Sequence, residues 1–379
     1  MANKLIAAAA AAAVVLFATP VMAQIKVGVI LGATGPGAAL GIPYKNTFAV
    51  LPKTLGGQPV EYILRDDATD PTNGVKFARD LIVGDKVDLL IGSTSVPSSI
   101  AMSDVAAQLK TPQIALASVG AAVSKNPWLF TIVQPSDLMM GAVASDMKAN
   151  KVKTVAFIGF SDSWGDAVLN GFKTHAEAAG VKIIAEERYA RLDTSVAGQV
   201  LKVLSVNPDA VVVGGSGTPG ALPQMTLRER GYKGRIYHNH AMVNKEFLRI
   251  GTKSWEGALA PAGPIVVAEQ LPDNAPTKKT AMEFTKLYED TYGAGTRNST
   301  SAYSFDAYLL ANRAVAEAIK KAKPGTPEFR QALRDSLESS KEVVGTHGIY
   351  NMTATDHAGV DSRAVVLLRA ENGEWKLVK

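Results

Sequence analysis

Short apolar runs rich in β-branched residues alternate along this chain with longer stretches of helical periodicity. Runs at 25–30, 60–64 and 87–91 are each followed by a turn and a helix-like segment, and the same unit recurs at 113–116, 154–160, 181–189, 210–213 and 235–237. Helical spacing of apolar residues fills 73–83, 100–109, 140–150, 167–179 and 221–230. Strands that take turns with helices of ten to fifteen residues predict α/β architecture with parallel sheets wound in βαβ units. After Pro127-Trp128-Leu129-Phe130 the series restarts at 152–159 much as it began, which predicts two sheets and not one. Beyond Gly263-Pro264 the pattern changes to long helices at 277–292, 302–321 and 327–338. Strands at 365–369 and 375–378 then close the chain as a hairpin around Asn372-Gly373, a pair suited to a two-residue turn.

The N-terminus changes the picture by setting the compartment. Lys4, an apolar stretch at 5–17 and the small-residue pattern Val21-Met22-Ala23 read as a signal peptide cleaved near Ala23. The apolar run falls short of the roughly twenty residues of a spanning helix, and no Cys stands after the cleavage point to carry a lipid. The expectation is a free periplasmic protein and a monomer. Zero cysteines remove disulfides, thiolate metal sites and cysteine nucleophiles. The 40 basic and 35 acidic residues are interspersed without a basic run, which argues against nucleic acid as a partner.

Candidate chemistry gathers directly after the strands, where open α/β sheets bind their ligands and helix N-termini present unpaired N–H groups. The loops at 33–37, 93–96, 117–120, 161–165, 215–218 and 239–240 are small, hydroxylic and glycine-rich. Such loops suit a carboxylate held by main-chain N–H groups and by Ser or Thr hydroxyls, and equally serve as ordinary helix caps and turns. No cofactor or metal motif is complete. His238 and His240 lack a third ligand, and Asp66, Asp67 and Asp70 lack the glycine and closing Glu of a calcium loop. Gly214 to Thr218 lacks the lysine of a phosphate loop, and the Gly-x-Ser-x-Gly nucleophile pattern does not occur.

An ordered set of short motifs gives the chain a family likeness. Gly35-Pro36 with Gly41, Asp66-Asp67, Asp70-Pro71, Ile91-Gly92-Ser93, Thr111-Pro112, Gly231-Tyr232 and Trp255-Glu256-Gly257, behind an export signal, resemble the Leu/Ile/Val-binding type of periplasmic solute-binding protein. That family supplies the capture subunit of ABC importers. The resemblance implies the type I periplasmic binding protein fold, two Rossmann-like lobes joined by a three-segment hinge. Lobe one would comprise 24–141 and 264–344, lobe two 142–263 and 345–379, and an ABC permease of the inner membrane would be the partner. It also implies that Ser95, Val96, Ala117, Ser118 and Val119 hold the ligand carboxylate, with Thr34 nearby. From lobe two, Trp164 would pack on the ligand, and closure would add the loops carrying Gly217, Thr218, Asn239 and His240.

One departure from the family pattern bears on the ligand. Amino-acid binders of this type carry an acidic residue in the loop after the third strand of lobe two, whereas this chain has Tyr237-His238-Asn239-His240 there. Burying an ammonium without a counter-charge costs several kcal/mol. Asp162 is open to two readings, a substitute counter-charge or a helix cap. The expected ligand is a small carboxylate, an aromatic acid or its keto or hydroxy derivative. Leu40, Trp164, Tyr303 and Phe305 would line its body, and Asn239 or His240 would meet a keto or hydroxyl group. A branched-chain amino-acid binder of the same family, a ligand sensor, and a secreted α/β enzyme with His240 as base remain alternatives.

Overall fold

The computed structural model describes residues 24–120 and 122–378. The expected signal peptide lies outside them. Among the described residues no helix is long and apolar enough to cross a membrane.

The first sheet is built from β1 (Ile25–Leu31), β2 (Thr54–Leu55), β3 (Gln58–Asp66), β4 (Leu89–Gly92), β5 (Gln113–Ala115) and β6 (Leu129–Thr131), in the order β2-β3-β1-β4-β5-β6. All neighbours run parallel except the short β2, which pairs antiparallel with β3. The second sheet begins with β7 (Thr154–Phe160), β8 (Lys182–Tyr189), β9 (Ala210–Gly214), β10 (Arg235–His238) and β11 (Leu259–Ala262). A two-stranded ribbon, β12 (Val343–Val344) and β13 (Ile349–Tyr350), intervenes before β14 (Val366–Glu371) and β15 (Glu374–Leu377) complete the second sheet, in the order β15-β14-β11-β10-β9-β7-β8. Every residue of β4 and of β9 is buried, as a parallel strand covered on both faces requires. The hairpin turn falls at Asn372-Gly373 as expected, with φ of 53° and 76°, values that Asn and Gly reach at low cost.

Each sheet carries its own core. Phe284, Leu310, Phe329 and Leu333, from the three long C-terminal helices Lys278–Tyr292, Ser299–Ala318 and Pro327–Glu338, pack with Val27 and Val29 of β1. On the second sheet, the helices Ser136–Ala149 and Ser163–Ala176 bring Met140, Val143, Val168 and Phe172 against Val155 and Phe157 of β7. Two of the expected lobe boundaries therefore move. The break after 141 falls inside the helix Ser136–Ala149, which belongs wholly to lobe two, so the chain crosses near 132–135. Residues 345–360 stay with lobe one, because Tyr350 and Met352 sit in its core and His357 stacks on Phe130 of β6.

A buried polar knot ties the crossings together. Asp306, fully buried on the helix Ser299–Ala318, accepts hydrogen bonds from the main-chain N–H groups of Thr346 (2.6 Å) and His347 (3.1 Å). The Tyr350 hydroxyl lies 2.7 Å from Asp306 Oδ2 and 2.9 Å from the Ile132 carbonyl, on the first crossing. Gln134 donates to the Ala364 carbonyl at 2.9 Å, joining the first crossing to the third. In a site this buried, a donor left unanswered costs its desolvation, so the bonds of the knot support one another.

Candidate functional site

The carboxyl ends of the strands in both sheets converge on one cavity between the lobes. Lobe one contributes Leu40, Ser95, Val96, Ala117 and Ser118. Lobe two contributes Trp164, Arg191, Ser216 and His240. Ser299, Thr300 and Tyr303, at the start of the helix Ser299–Ala318, complete the wall. The lobes also touch around it: Leu40 of lobe one packs with Ala221 and Met242 of lobe two.

Most hydroxyls on the lobe-one side are already engaged. Ser95 caps the helix Val96–Gln108, its Oγ accepting from Ser98 N and lying 2.9 Å from Ser98 Oγ. Ser118 Oγ lies 3.3 Å from Ser136 Oγ, and Thr131 Oγ1 donates to the Ala117 carbonyl at 2.9 Å. What lobe one offers a ligand is therefore its main chain around Ala117 and Ser118, at the carboxyl end of β5.

Lobe two offers charge. Arg191 stands in the loop after β8, and its Nε donates to Asp162 Oδ2 at 2.6 Å while Nη1 donates to Ser216 Oγ at 3.1 Å. Its guanidinium also covers the Phe160 ring, 4.4 Å from the centroid, which fixes the plane of the donor fork. Asp162 does two jobs, since its Oδ1 caps the helix Ser163–Ala176 by accepting from Trp164 N and Gly165 N. Trp164 is buried, donates from Nε1 to the Gly215 carbonyl at 3.2 Å, and meets the His240 ring edge-to-face at 5.5 Å. Tyr303 stacks on His347 at 3.8 Å and hydrogen-bonds Gln134, so the cavity wall is continuous with the polar knot of the hinge.

Burial pushes the His240 imidazole down to about 3, helped by nearby His347, and pushes His238 down to about 3 with a smaller contribution from Arg228. Both rings are neutral at pH 7. A histidine depressed in the native state binds its proton first in the unfolded chain, so stability falls as pH drops below about 6.5 and goes on falling toward 3. At pH 5 each ring should remove about 2 kcal/mol. Urea unfolding at pH 7 and pH 5 will show the loss, and a His238→Asn variant should lose less between the two.

Of the expected site residues, Leu40, Ser95, Val96, Ala117, Ser118, Trp164, His240 and Tyr303 line the cavity; the rest stand elsewhere. Phe305 lies two positions beyond Tyr303 on the same helix, about 200° around its axis, and packs on Phe284 at 5.2 Å in the lobe-one core. Asn239 is consumed by the main chain: its amide donates to the Val213 and Gly215 carbonyls, and its Oδ1 caps Ala241 N. Val119 faces a second, larger groove between the lobes. Thr34 meets Asp66 and Thr69 through its main chain. Thr218 opens a short 3-10 turn after Gly217, whose φ is 63°. A β-carbon on Gly217 would stand 2.7 Å from the Pro36 carbonyl oxygen, so this glycine lets the lobes meet backbone to backbone. Asp162 combines its two readings, but the charge it neutralises belongs to Arg191. The loops singled out in the sequence were the small and hydroxylic ones; Ser216 falls in one of them, at 215–218, beside the chosen Gly217 and Thr218, whereas Arg191, just beyond the run at 181–189, and Ser299 lie outside them.

Two α/β lobes crossed three times by the chain, with a lined cavity where their strands end, define a hinged ligand-capture protein. The chain belongs to the periplasmic binding protein family, whose model matches residues 24–374. It is 44% identical to an extracellular ligand-binding receptor from Rhodopseudomonas palustris HaA2, with a TM-score of 0.91 over 94% of this chain and 100% of that one. It is 24% identical to the Leu/Ile/Val-binding protein BraC3 of Rhizobium johnstonii, over 94% of this chain and 95% of the relative. A solute-binding protein of an ABC transporter from Rhodopseudomonas palustris BisB5, solved with 3,4-dihydroxybenzoic acid, shares the fold at 21% identity and a TM-score of 0.79, covering 94% and 96% of the two chains. Members of this family bind small solutes in the periplasm and serve ABC permeases.

Proposed function

We propose that this protein is the periplasmic component of an ABC importer for a small organic carboxylate with an apolar or aromatic body. The observation that carries the reading is the charge of the cavity wall: among the described residues that line it, Arg191 is the sole cation and no Asp or Glu appears. An anion gains a charge-assisted partner there, while an α-ammonium would be buried without one, at a cost of several kcal/mol. The carboxylate sits between the Arg191 fork and the main chain at Ala117 and Ser118. Trp164, Leu40 and Tyr303 enclose the body.

Lobe one binds first and lobe two closes over the ligand, because Trp164 and Arg191 reach it only when the lobes meet. The closed form is thus favoured by contacts that exist only with cargo aboard, which is what a permease needs in order to distinguish loaded protein from empty. The relative solved with 3,4-dihydroxybenzoic acid supports the reading to the extent that the same fold accommodates an aromatic acid.

Calorimetric titration with benzoate, 3-phenylpropanoate, leucine, valine and phenylalanine tests it. Carboxylates without an amine should bind and the amino acids should not; tight capture of leucine or valine would overturn the reading. Trp164→Ala should weaken carboxylate binding by about 1 to 3 kcal/mol through lost apolar contact, and an unchanged Kd would remove Trp164 from the site.

A further inference from the structure

The cavity wall holds two polar side chains that the protein itself leaves unanswered. Ser299 begins the helix Ser299–Ala318 and is followed by two more hydroxyls, Thr300 and Ser301. The cap residue Asn298 engages both of these: its Oδ1 accepts from Ser301 N at 2.9 Å and from Thr300 Oγ1 at 2.7 Å, while Ser301 Oγ accepts from Asn298 N at 3.0 Å. The capping box is complete without Ser299. Ser299 is nevertheless only 2% exposed, and its Oγ is buried without a partner. One turn further along, Tyr303 lines the same cavity, which places Ser299 on the cavity side of the helix.

His240 is the second such group. It is 5% exposed, held edge-on by Trp164, and its Nδ1 is buried without a partner. The imidazole is neutral, so it carries one N–H and one lone pair and can serve a donor or an acceptor. Buried polar atoms in folded proteins are overwhelmingly paired, and two orphans in the wall of one cavity call for a partner that enters with the ligand.

We propose that Ser299 and His240 form a second polar subsite, separate from Arg191, that recognises a hydroxyl or carbonyl oxygen on the cargo. Both groups are uncharged, so they suit a neutral oxygen and would leave a second carboxylate without a counter-charge. The cargo class is then an oxygenated carboxylate and not a plain hydrocarbon acid. This rests on the carboxylate reading above.

The test uses matched ligands on the mature protein: benzoate against its 2-, 3- and 4-hydroxy derivatives, and 3-phenylpropanoate against phenylpyruvate and 3-phenyllactate. At least one oxygenated ligand should bind about 10- to 100-fold more tightly than its parent, the range expected when a buried polar group is satisfied and not stranded. Ser299→Ala and His240→Phe, each checked for native circular dichroism, should bring that ratio toward one. Parents and derivatives binding alike in the wild type would overturn the proposal, as would variants that weaken both members of a pair by the same factor. If amino acids bind and no carboxylate does, the carboxylate reading itself fails and the subsite falls with it.

Discussion

Arg191→Met will weaken carboxylate binding by about 3 kcal/mol, roughly a hundredfold in Kd, measured by calorimetry at moderate ionic strength. The size follows from what is left behind. Arg191 pairs with Asp162 at 2.6 Å in a setting where their side chains are 16% and 25% exposed. Removing the guanidinium deletes the charge that meets the ligand and also leaves the Asp162 carboxylate, anchored as a helix cap, unopposed beside the cavity. Attraction becomes repulsion. The double variant Arg191→Met with Asp162→Asn should recover part of the loss, since the stranded anion is gone, although the cap weakens. An Arg191→Met protein that binds its carboxylate as tightly as the wild type would place the anion entirely on the lobe-one main chain.

Asp306→Ala should be the most destabilising of these changes, by about 3 to 5 kcal/mol in urea unfolding of the ligand-free protein. Two N–H groups and the Tyr350 hydroxyl all point at this carboxylate in a fully buried site, and alanine answers none of them. Asp306→Asn keeps the shape and one acceptor oxygen, so its cost should be smaller. A loss below about 1 kcal/mol for the alanine variant would mean that water takes over the carboxylate's role. Because Tyr303 and Asp306 share a helix and Tyr303 lines the cavity, both losses should be compared with and without ligand.

Much of the fold was legible because its signal is local. Parallel strands buried on both faces read as unbroken β-branched runs, as at Ala210–Gly214, and Asn372-Gly373 announces its hairpin by the φ it permits. β11 was hidden because Pro261 reads as a strand breaker; it is tolerated where the strand pairs parallel with β10 only at Leu259. The lobe boundary after 141 was misplaced because a helix of fourteen residues gives no local sign of which sheet it will cover. The candidate site was half legible for a related reason. Position after a strand brings Trp164, Ser95 and His240 to the cavity wall, but which face a helical residue presents depends on how its helix packs. Tyr303 and Phe305 stand two positions apart on one helix and so face different ways, Tyr303 lining the cavity and Phe305 packing on Phe284.

The meeting of Gly217 with the Pro36 carbonyl oxygen bears on traffic as well as shape. The lips of the clamshell meet at this point through bare peptide, with no side chain standing between the two lobes. Any bulk introduced at that glycine would prop the mouth ajar and shorten the stay of every passenger alike, whatever its chemistry.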